Sequence, residues 1–239
     1  MYIKKINLLK RDGFVKNLLK YIISVSVLLS IRFCMAEDGL GTQSTLWEVY
    51  RTNSWSMVLP VGLVVSTRPF ETSFLFVDKK GTPSSCLLAR LEDINKFSFL
   101  VQSLNKTQSK LDHKNESERL FLISKTVLEK NHYQIYTNSD IFEVQLSDNT
   151  KGSCFWMLFK DDKECGMQVR IVVKDGMGDT WIISAFLQLP LKHSFLLEPQ
   201  SIVLNTILEH MLSFSFTQSA NQVKRIQMAY KILEAQPSQ

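Results

Sequence analysis

Met167-Gln-Val-Arg-Ile-Val-Val-Lys174, then Asp175-Gly-Met-Gly-Asp179, then Thr180-Trp-Ile-Ile-Ser-Ala-Phe-Leu-Gln-Leu189 is the run whose reading decides the fold. In its first part Met167, Val169, Ile171 and Val173 alternate with Gln168, Arg170, Val172 and Lys174. A period of two belongs to a strand with two distinct faces. Turn-forming residues with two glycines follow, and a second β-prone run returns as far as Pro190, a residue that cannot continue a ladder. The stretch predicts two long strands in an antiparallel hairpin.

Working outward, residues 153–159 (SCFWMLF) are apolar at both parities and read as a central strand. Phe142, Val144 and Leu146 alternate with Glu143, Gln145 and Ser147, the mark of a sheet with one wet face. Residues 133–136 make a short strand. Near the start, Trp47-Glu-Val-Tyr50 opens the ordered region. Residues 54–60 (SWSMVLP) alternate Trp55, Met57 and Leu59 with Ser56 and Val58, reading as a strand stopped by Pro60. Residues 62–66, 70–78 and 86–91 read as further strands, with a turn at 79–83.

The period then changes. Phe97, Leu100, Val101, Leu104 and Leu111 recur at helical spacing and predict a helix that stops near Leu104. A second helix follows, with Asn115 as N-cap, Glu118 three residues on, and a stripe of Leu120, Ile123 and Val127 broadened by Phe121 and Leu128. Beyond the hairpin, Pro199 is placed in the first turn of a helix whose stripe is Ile202, Val203, Ile207 and Met211. A last helix is predicted over 220–234, with Ser219 and Gln222 resembling a capping box. Its stripe is Val223, Ile226, Tyr230 and Leu233, a candidate partner-binding face. Strands that come as consecutive hairpins, not as strand–helix–strand units, argue for an α+β fold with an antiparallel sheet and helices packed on it.

Residues 1–36 read as an export leader. Lys4, Lys5, Lys10, Arg11, Lys16 and Lys20 precede an eleven-residue apolar run, 21–31 (YIISVSVLLSI), and Cys34 and Ala36 stand at the −3 and −1 positions of a cleavage site before Glu37. The run is short of the roughly 20 apolar residues of a membrane span. An uncleaved anchor and a lipid-bearing Cys34 are the alternatives, and membrane contact is expected only through an uncleaved leader. The leader holds seven of the 28 bases and one of the 23 acids, which leaves 21 against 22 beyond it. The basic balance therefore belongs to the leader, and nucleic-acid binding loses its electrostatic footprint. A chain with 45% hydrophobic and 21% charged residues is expected to fold as a packed globule.

Of the cysteines beyond the leader, Cys154 and Cys165 flank the turn-like Lys160-Asp-Asp-Lys-Glu164, so a disulfide between them is a candidate, with Cys86 left over. The other reading is three buried thiols. The spacing is not a zinc pattern. No Gly-x-Ser-x-Gly occurs, and Ser103-Leu-Asn-Lys106 lacks the partner motifs of a serine–lysine enzyme. His113, His132, His193 and His210 are scattered and read as surface or locally bonded histidines. Asp161, Asp162 and Glu164 read as a solvated hairpin end, not a cation cage. The motifs imply no catalytic residue, no metal and no cofactor.

Three places resemble the PsbP/DcrB-like family. They are Trp55-Ser-Met-Val-Leu-Pro60-Val-Gly62, the hairpin Arg170-Ile-Val-Val-Lys-Asp-Gly176 leading into 181–189, and His210-Met-Leu-Ser-Phe214 at a helix end. The resemblance covers about residues 47–216. It implies an αβα sandwich, a central antiparallel sheet with helices on both faces, here with an extra C-terminal helix. The expected organisation is a signal peptide at 1–36, the α+β domain at 46–216 and the helix appendage at 219–235. Two departures stand out. Leu63 occupies the place of a tryptophan expected after the Pro-Gly-type turn, and the last helix lies beyond the usual family end. Members of the family are mostly accessory and binding proteins. PsbP proteins support photosystem II, DcrB is a bacterial envelope protein, and a eukaryotic relative binds the GTPase Ran. The resemblance implies a non-enzymatic exported protein of the bacterial periplasm or envelope that acts on an unknown envelope protein. The alternative is a small-ligand or lipid-binding module, motivated by Phe70, Phe74, Phe76, Phe97, Phe99, Phe155 and Phe159.

Overall fold

The hairpin is the centre of the molecule. The computed structural model describes residues 46–76, 91, 94–104, 111–199, 201–216 and 221–234, and these belong to one compact unit. Strands β9 (Glu164–Lys174) and β10 (Thr180–Pro190) pair antiparallel from Thr180↔Lys174 to Pro190↔Glu164. The turn between them is tied by Asp175, whose Oδ1 accepts from the Met177 and Asp179 amides at 2.9 Å. Gly178 there has φ 84°, a conformation that a Cβ disfavours.

The sheet grows outward on both sides of the hairpin. Strand β8 (Lys151–Lys160) pairs with β9, and β5 (Lys96–Leu104) pairs with the other edge of β10. Strands β3 (Leu63–Arg68) and β4 (Glu71–Phe76) extend the β5 side, while β6 (Gln134–Asn138) and β7 (Phe142–Gln145) both pair with β8. The order is β3-β4-β5-β10-β9-β8-β6 with β7 also on β8, eight strands in all, and every pairing is antiparallel. A separate ribbon joins β1 (Trp47–Arg51) to β2 (Ser56–Pro60). Three α-helices complete the described fold: α1 (His113–Lys130), α2 (Ile202–Leu212) and α3 (Asn221–Glu234). This is a mixed α+β fold with a large antiparallel sheet.

The helix expected up to Leu104 is instead β5. Phe97, Phe99 and Val101 are buried and their neighbours Ser98, Leu100 and Gln102 only partly so, a period of two. Phe97, Leu100, Val101 and Leu104 also fit a helical period, but Phe99 does not, and pairing on both edges with β4 and β10 decides for the strand. The expected N-cap Asn115 is also corrected. Helix α1 starts at His113 on Asp112, whose side chain accepts from the Asn115 amide at 2.8 Å. Pro199 lies ahead of α2, not in its first turn. Ser201 is the cap and accepts from the Leu204 amide at 3.2 Å. A 3₁₀ segment, Leu191–Leu197, bridges β10 and α2. Strand β2 does not alternate: all five of its residues are buried, with β1 paired along its edge and Met57, Val58 and Leu59 in one apolar cluster with the helices. The strand expected over 86–91, apart from Leu91, the turn at 79–83 and residues 1–36, read as a leader, lie outside the described residues.

Two apolar clusters form around the sheet. Helix α1 contributes Leu120 and Leu128 to one, with Phe155, Met157, Phe159, Val172 and Ile182. Helices α2 and α3 and strand β2 contribute Val203, Leu204, Ile207, Met211, Ile226, Tyr230 and Met57 to the other, with Cys154, Leu158, Val169 and Ile171 from the sheet.

The candidate disulfide is not formed. Cys154 and Cys165 are both free and buried. Cys154 stands opposite Ile171, whereas Cys165 stands opposite Lys160, six positions further along β8. At ~3.3 Å per residue that is roughly 20 Å, far beyond the ~7 Å that a bridge spans. Cys86 lies outside the described residues.

Candidate functional site

Helix α3 begins where α2 ends and returns along it. Gln222 marks the junction. Its Nε2 donates to the Ser213 carbonyl at 2.7 Å, to Ser56 Oγ at 3.0 Å and to the Ser56 carbonyl at 3.3 Å. The capping role expected of Gln222 is thus replaced by a buried link to β2 and the end of α2. Ser219 lies outside the described residues. The Ser56 amide also pairs with the Ser215 carbonyl at 2.8 Å, which stitches the ribbon to the segment after α2.

The stripe read as partner-binding is largely a core stripe. Ile226 and Tyr230 are buried, together with Gln222 and Ala229. Val223 is half-buried, and the Leu233 side chain lies outside the described residues. Tyr230 packs on Trp47 with ring centroids 5.1 Å apart and edge-on to His210 at 5.7 Å. The physical reason is area. The exposed faces of β2 and α2 need a cover, and α3 is the next element in the chain. The stripe is therefore taken up by the protein's own core, at roughly 1.5–3 kcal/mol for each large apolar side chain buried.

A second row on α3 lies on its flank, exposed at Met228 and Ile232 and buried at Ala229. Arg225, Met228, Ala229 and Ile232 lie opposite Ile202, Asn205, Thr206 and Glu209 of α2, and the two rows line a groove of about 500 Å³. Both rows have the spacing i, i+3, i+4, i+7 of one helix face. Met228 and Ile232 are 70% and 56% exposed. The groove is polar at one end, where Arg225 Nε donates to Glu209 Oε2 at 3.0 Å and Nη1 donates to the Gln145 carbonyl at 3.1 Å. It is apolar at the other, where Met228, Ile232 and Ile202 stand. Sequence reasoning missed this row because it assigned one face of the helix. Met228 and Ile232 lie outside the stripe at a mutual i, i+4 spacing, and that was the available signal.

Beneath the groove lies a buried polar network. His210 is fully buried, not a surface histidine. Its Nδ1 is 2.9 Å from the Val58 carbonyl and its Nε2 is 3.2 Å from the Tyr230 hydroxyl. The Ser213 hydroxyl accepts from the Val58 amide at 2.9 Å and donates to the His210 carbonyl at 2.6 Å. Burial pushes the His210 imidazole down to about 4 from the usual 6.5, against a smaller upward pull from the Val58 carbonyl.

Two other clusters hold titratable side chains. At the base of the sheet Glu164 accepts from Asn95 Nδ2 at 2.6 Å, from the Tyr133 hydroxyl at 3.2 Å and from Gln188 Nε2. Burial first, then the Glu164 charge, raises the Tyr133 hydroxyl pKa. Under α1, Glu116 pairs with Arg119, while Arg170 is pushed down to about 10 by burial and by Arg119. Each carboxylate here is tied to donors of its own fold. The Cys154 thiol is raised by burial and Cys165 is raised to about 11 by burial and then by Glu164, so neither presents a thiolate at neutral pH. Lys106 of the serine–lysine pattern lies outside the described residues. Among the described residues no group of three or more His, Cys, Asp or Glu side chains could hold a metal ion, and no helix is long and apolar enough to cross a membrane.

Among solved structures, a point mutant of the protein Mog1 is similar to this chain with a TM-score of 0.48 and 10% identity, over 73% of this chain and 97% of that one. The Saccharomyces cerevisiae Ran-binding protein Mog1p is similar with a TM-score of 0.44 and 12% identity, over 68% of this chain and 90% of that one. A Pseudomonas aeruginosa protein of unknown function is similar with a TM-score of 0.28 and 8% identity, over 63% and 90%. No family model and no curated protein matches the chain.

Proposed function

We propose that this is a non-enzymatic exported protein of the bacterial periplasm or envelope. It works by holding a segment of another envelope protein in the groove between α2 and α3. The observation that carries this reading is the placement of the aromatics. Phe74, Phe97, Phe99, Phe155 and Phe159 are wholly buried and pack edge-on or stacked against one another or other rings, as in Phe97–Phe99 at 5.1 Å and Phe159–Phe186 at 5.5 Å. Among the described residues these rings fill the interior against one another. The groove lies elsewhere, and no phenylalanine lines it. Its exposed Met228 and Ile232 suit apolar side chains of a partner, and the Arg225–Glu209 pair suits a polar rim.

The matching fold reading is an αβα sandwich of the PsbP/DcrB type. It is supported by the alternation along β8: Phe155, Met157 and Phe159 meet α1, while Cys154 and Leu158 belong to the cluster of α2 and α3, and successive strand residues point to opposite faces. Export rests on the leader sequence. A second reading, a small amphipathic ligand in the groove, is favoured by its volume of about 500 Å³, within the usual range for ligand sites.

A photo-crosslinking side chain at Met228, in the full chain expressed in its native envelope, tests the first reading. A discrete adduct is expected at Met228, lost on Ile232→Glu, and absent when the probe sits at Met177 in the exposed β9–β10 turn. No adduct at Met228, or the same adduct at Met177, overturns it. A small-molecule adduct at Met228 would favour the second reading. N-terminal sequencing of the envelope protein should begin at Glu37; a start at Met1 in a cytosolic fraction refutes export.

A further inference from the structure

The geometry points to α3 being an acid-operated latch: protonation of His210 releases α3 from the core and dismantles the groove. The inference stands on the buried network and holds whatever occupies the groove.

His210 sits on the inner face of α2 with α3 closed over it. Its Nδ1 faces the Val58 carbonyl, which can only accept, so Nδ1 carries a proton in both charge states. Nε2 faces the Tyr230 hydroxyl. In the neutral ring Nε2 accepts and the tyrosine donates. In the charged ring Nε2 donates, and the tyrosine must turn its hydrogen away. Protonation therefore keeps the bond from α2 to β2 and reverses the bond from α2 to α3.

The surroundings do not favour the charge. Strand β2 carries no ionisable side chain. On α2, Glu209 is engaged by Arg225 of α3 in the groove, and Lys231 of α3 is exposed. On β1, burial raises the Glu48 carboxyl above 4.5, so it is itself protonated at the acid end of this range, and Tyr50 packs its ring on Trp55 and Phe74. On β5, Lys96 lies over the Phe186 ring. The ring of His210 meets Phe99 at 6.2 Å and the Tyr230 ring at 5.7 Å. Among the described residues none of the carboxylates bonds to it. An imidazolium here gains its solvation most directly by lifting α3. That helix is the last described element and takes no part in the sheet, so it can open while the eight strands stay paired.

The direction follows from the lowered value. The closed state prefers the neutral ring, so the latch is fully shut above 6.5 and weakens as pH falls from 6.5 towards about 4. The opening constant should rise roughly 30-fold between pH 7.5 and pH 5.0.

Hydrogen exchange of the full chain, corrected for the intrinsic rate at each pH, reads this directly. The expected result is a loss of protection of that order in 221–234 at pH 5.0, with β9 and β10 unchanged, and no such loss in His210→Gln. An equal loss in His210→Gln, or none in the native chain, overturns the latch. Nitrogen-15 spectra of the native chain serve if that variant fails to fold. His210 should stay in the Nδ1–H form until the α3 amides lose protection. A ring that titrates near 6.5 with α3 still protected also overturns it.

Discussion

Helices α1 and α3 both bury polar side chains, and they do so in opposite ways. On α1 the buried Glu116 bonds to Arg119 one turn further on, and the Ser124 hydroxyl donates to the Leu120 carbonyl at 2.8 Å. The bonds just named lie within one helix, and Leu120 and Leu128 pack on the sheet. On α3 the buried Gln222 and Tyr230 find partners on β2, on the end of α2 and at His210. Polar groups bonded inside an element move with it when it opens. Polar groups bonded between elements hold the elements together, and their partners must be re-solvated when they part. The attachment of α3 should therefore depend on the state of His210, a partner that lies on another element.

The largest break in this comparison is Tyr230→Ala. It removes a ring buried against Trp47 and His210, at a cost of about 3–5 kcal/mol in urea unfolding. Next is the pH dependence of the native chain. His210 has its pKa lowered to about 4 from 6.5, so its neutral-ring stabilisation is complete above 6.5 and is lost as pH falls towards 4. That loss amounts to about 3 kcal/mol at most. Urea midpoints from pH 7.5 to 4.5 should fall in the native chain more than in His210→Gln; parallel curves would remove the distinction between the two helices.

Glu116→Gln should cost about 1–3 kcal/mol in urea unfolding at pH 7.5; a cost near zero would show that the Arg119 pair does not hold α1 in place. Tyr230→Phe keeps the ring and removes the hydroxyl, at about 1 kcal/mol. It should leave His210 buried, so the acid loss persists without the reversed bond. The smallest effect is Asp112→Ala at the exposed cap of α1. The Asn115 amide holds the Asp112 carboxylate pKa below 3.8. The cap's contribution is present above 3.8 and lost as pH falls through the lowered value, a window below that of His210. Circular dichroism melts should differ between native and variant more at pH 7 than at pH 2.5.

The strands around the hairpin were legible because each carries its own period and turn. Residues 167–174 alternate, Asp175–Asp179 supplies side-chain acceptors and a glycine, and the apolar 153–159 lies second from the centre with strands on both edges. The cysteine pair was not legible, because eleven residues of separation say nothing of register. Once Cys165 faces Lys160, Cys154 is carried up the strand by geometry. The groove was half legible. The helical stripe was found, but a helix has two flanks, and a single chain does not say which flank meets the core and which meets α2.

The sequence by itself determined the class of fold, the central hairpin, the positions of the three described helices to within a few residues, and a charge balance in which residues 1–36 hold the basic excess. Those are local properties, written in period, cap and composition. Only the tertiary structure decided that residues 96–104 are a strand, that His210 is buried, and that Ile226 and Tyr230 face inward while Met228 and Ile232 face the groove. Each of those depends on which surface arrives opposite the segment, and that surface comes from residues distant in the chain: β4 and β10 for β5, and β2 with α2 for α3.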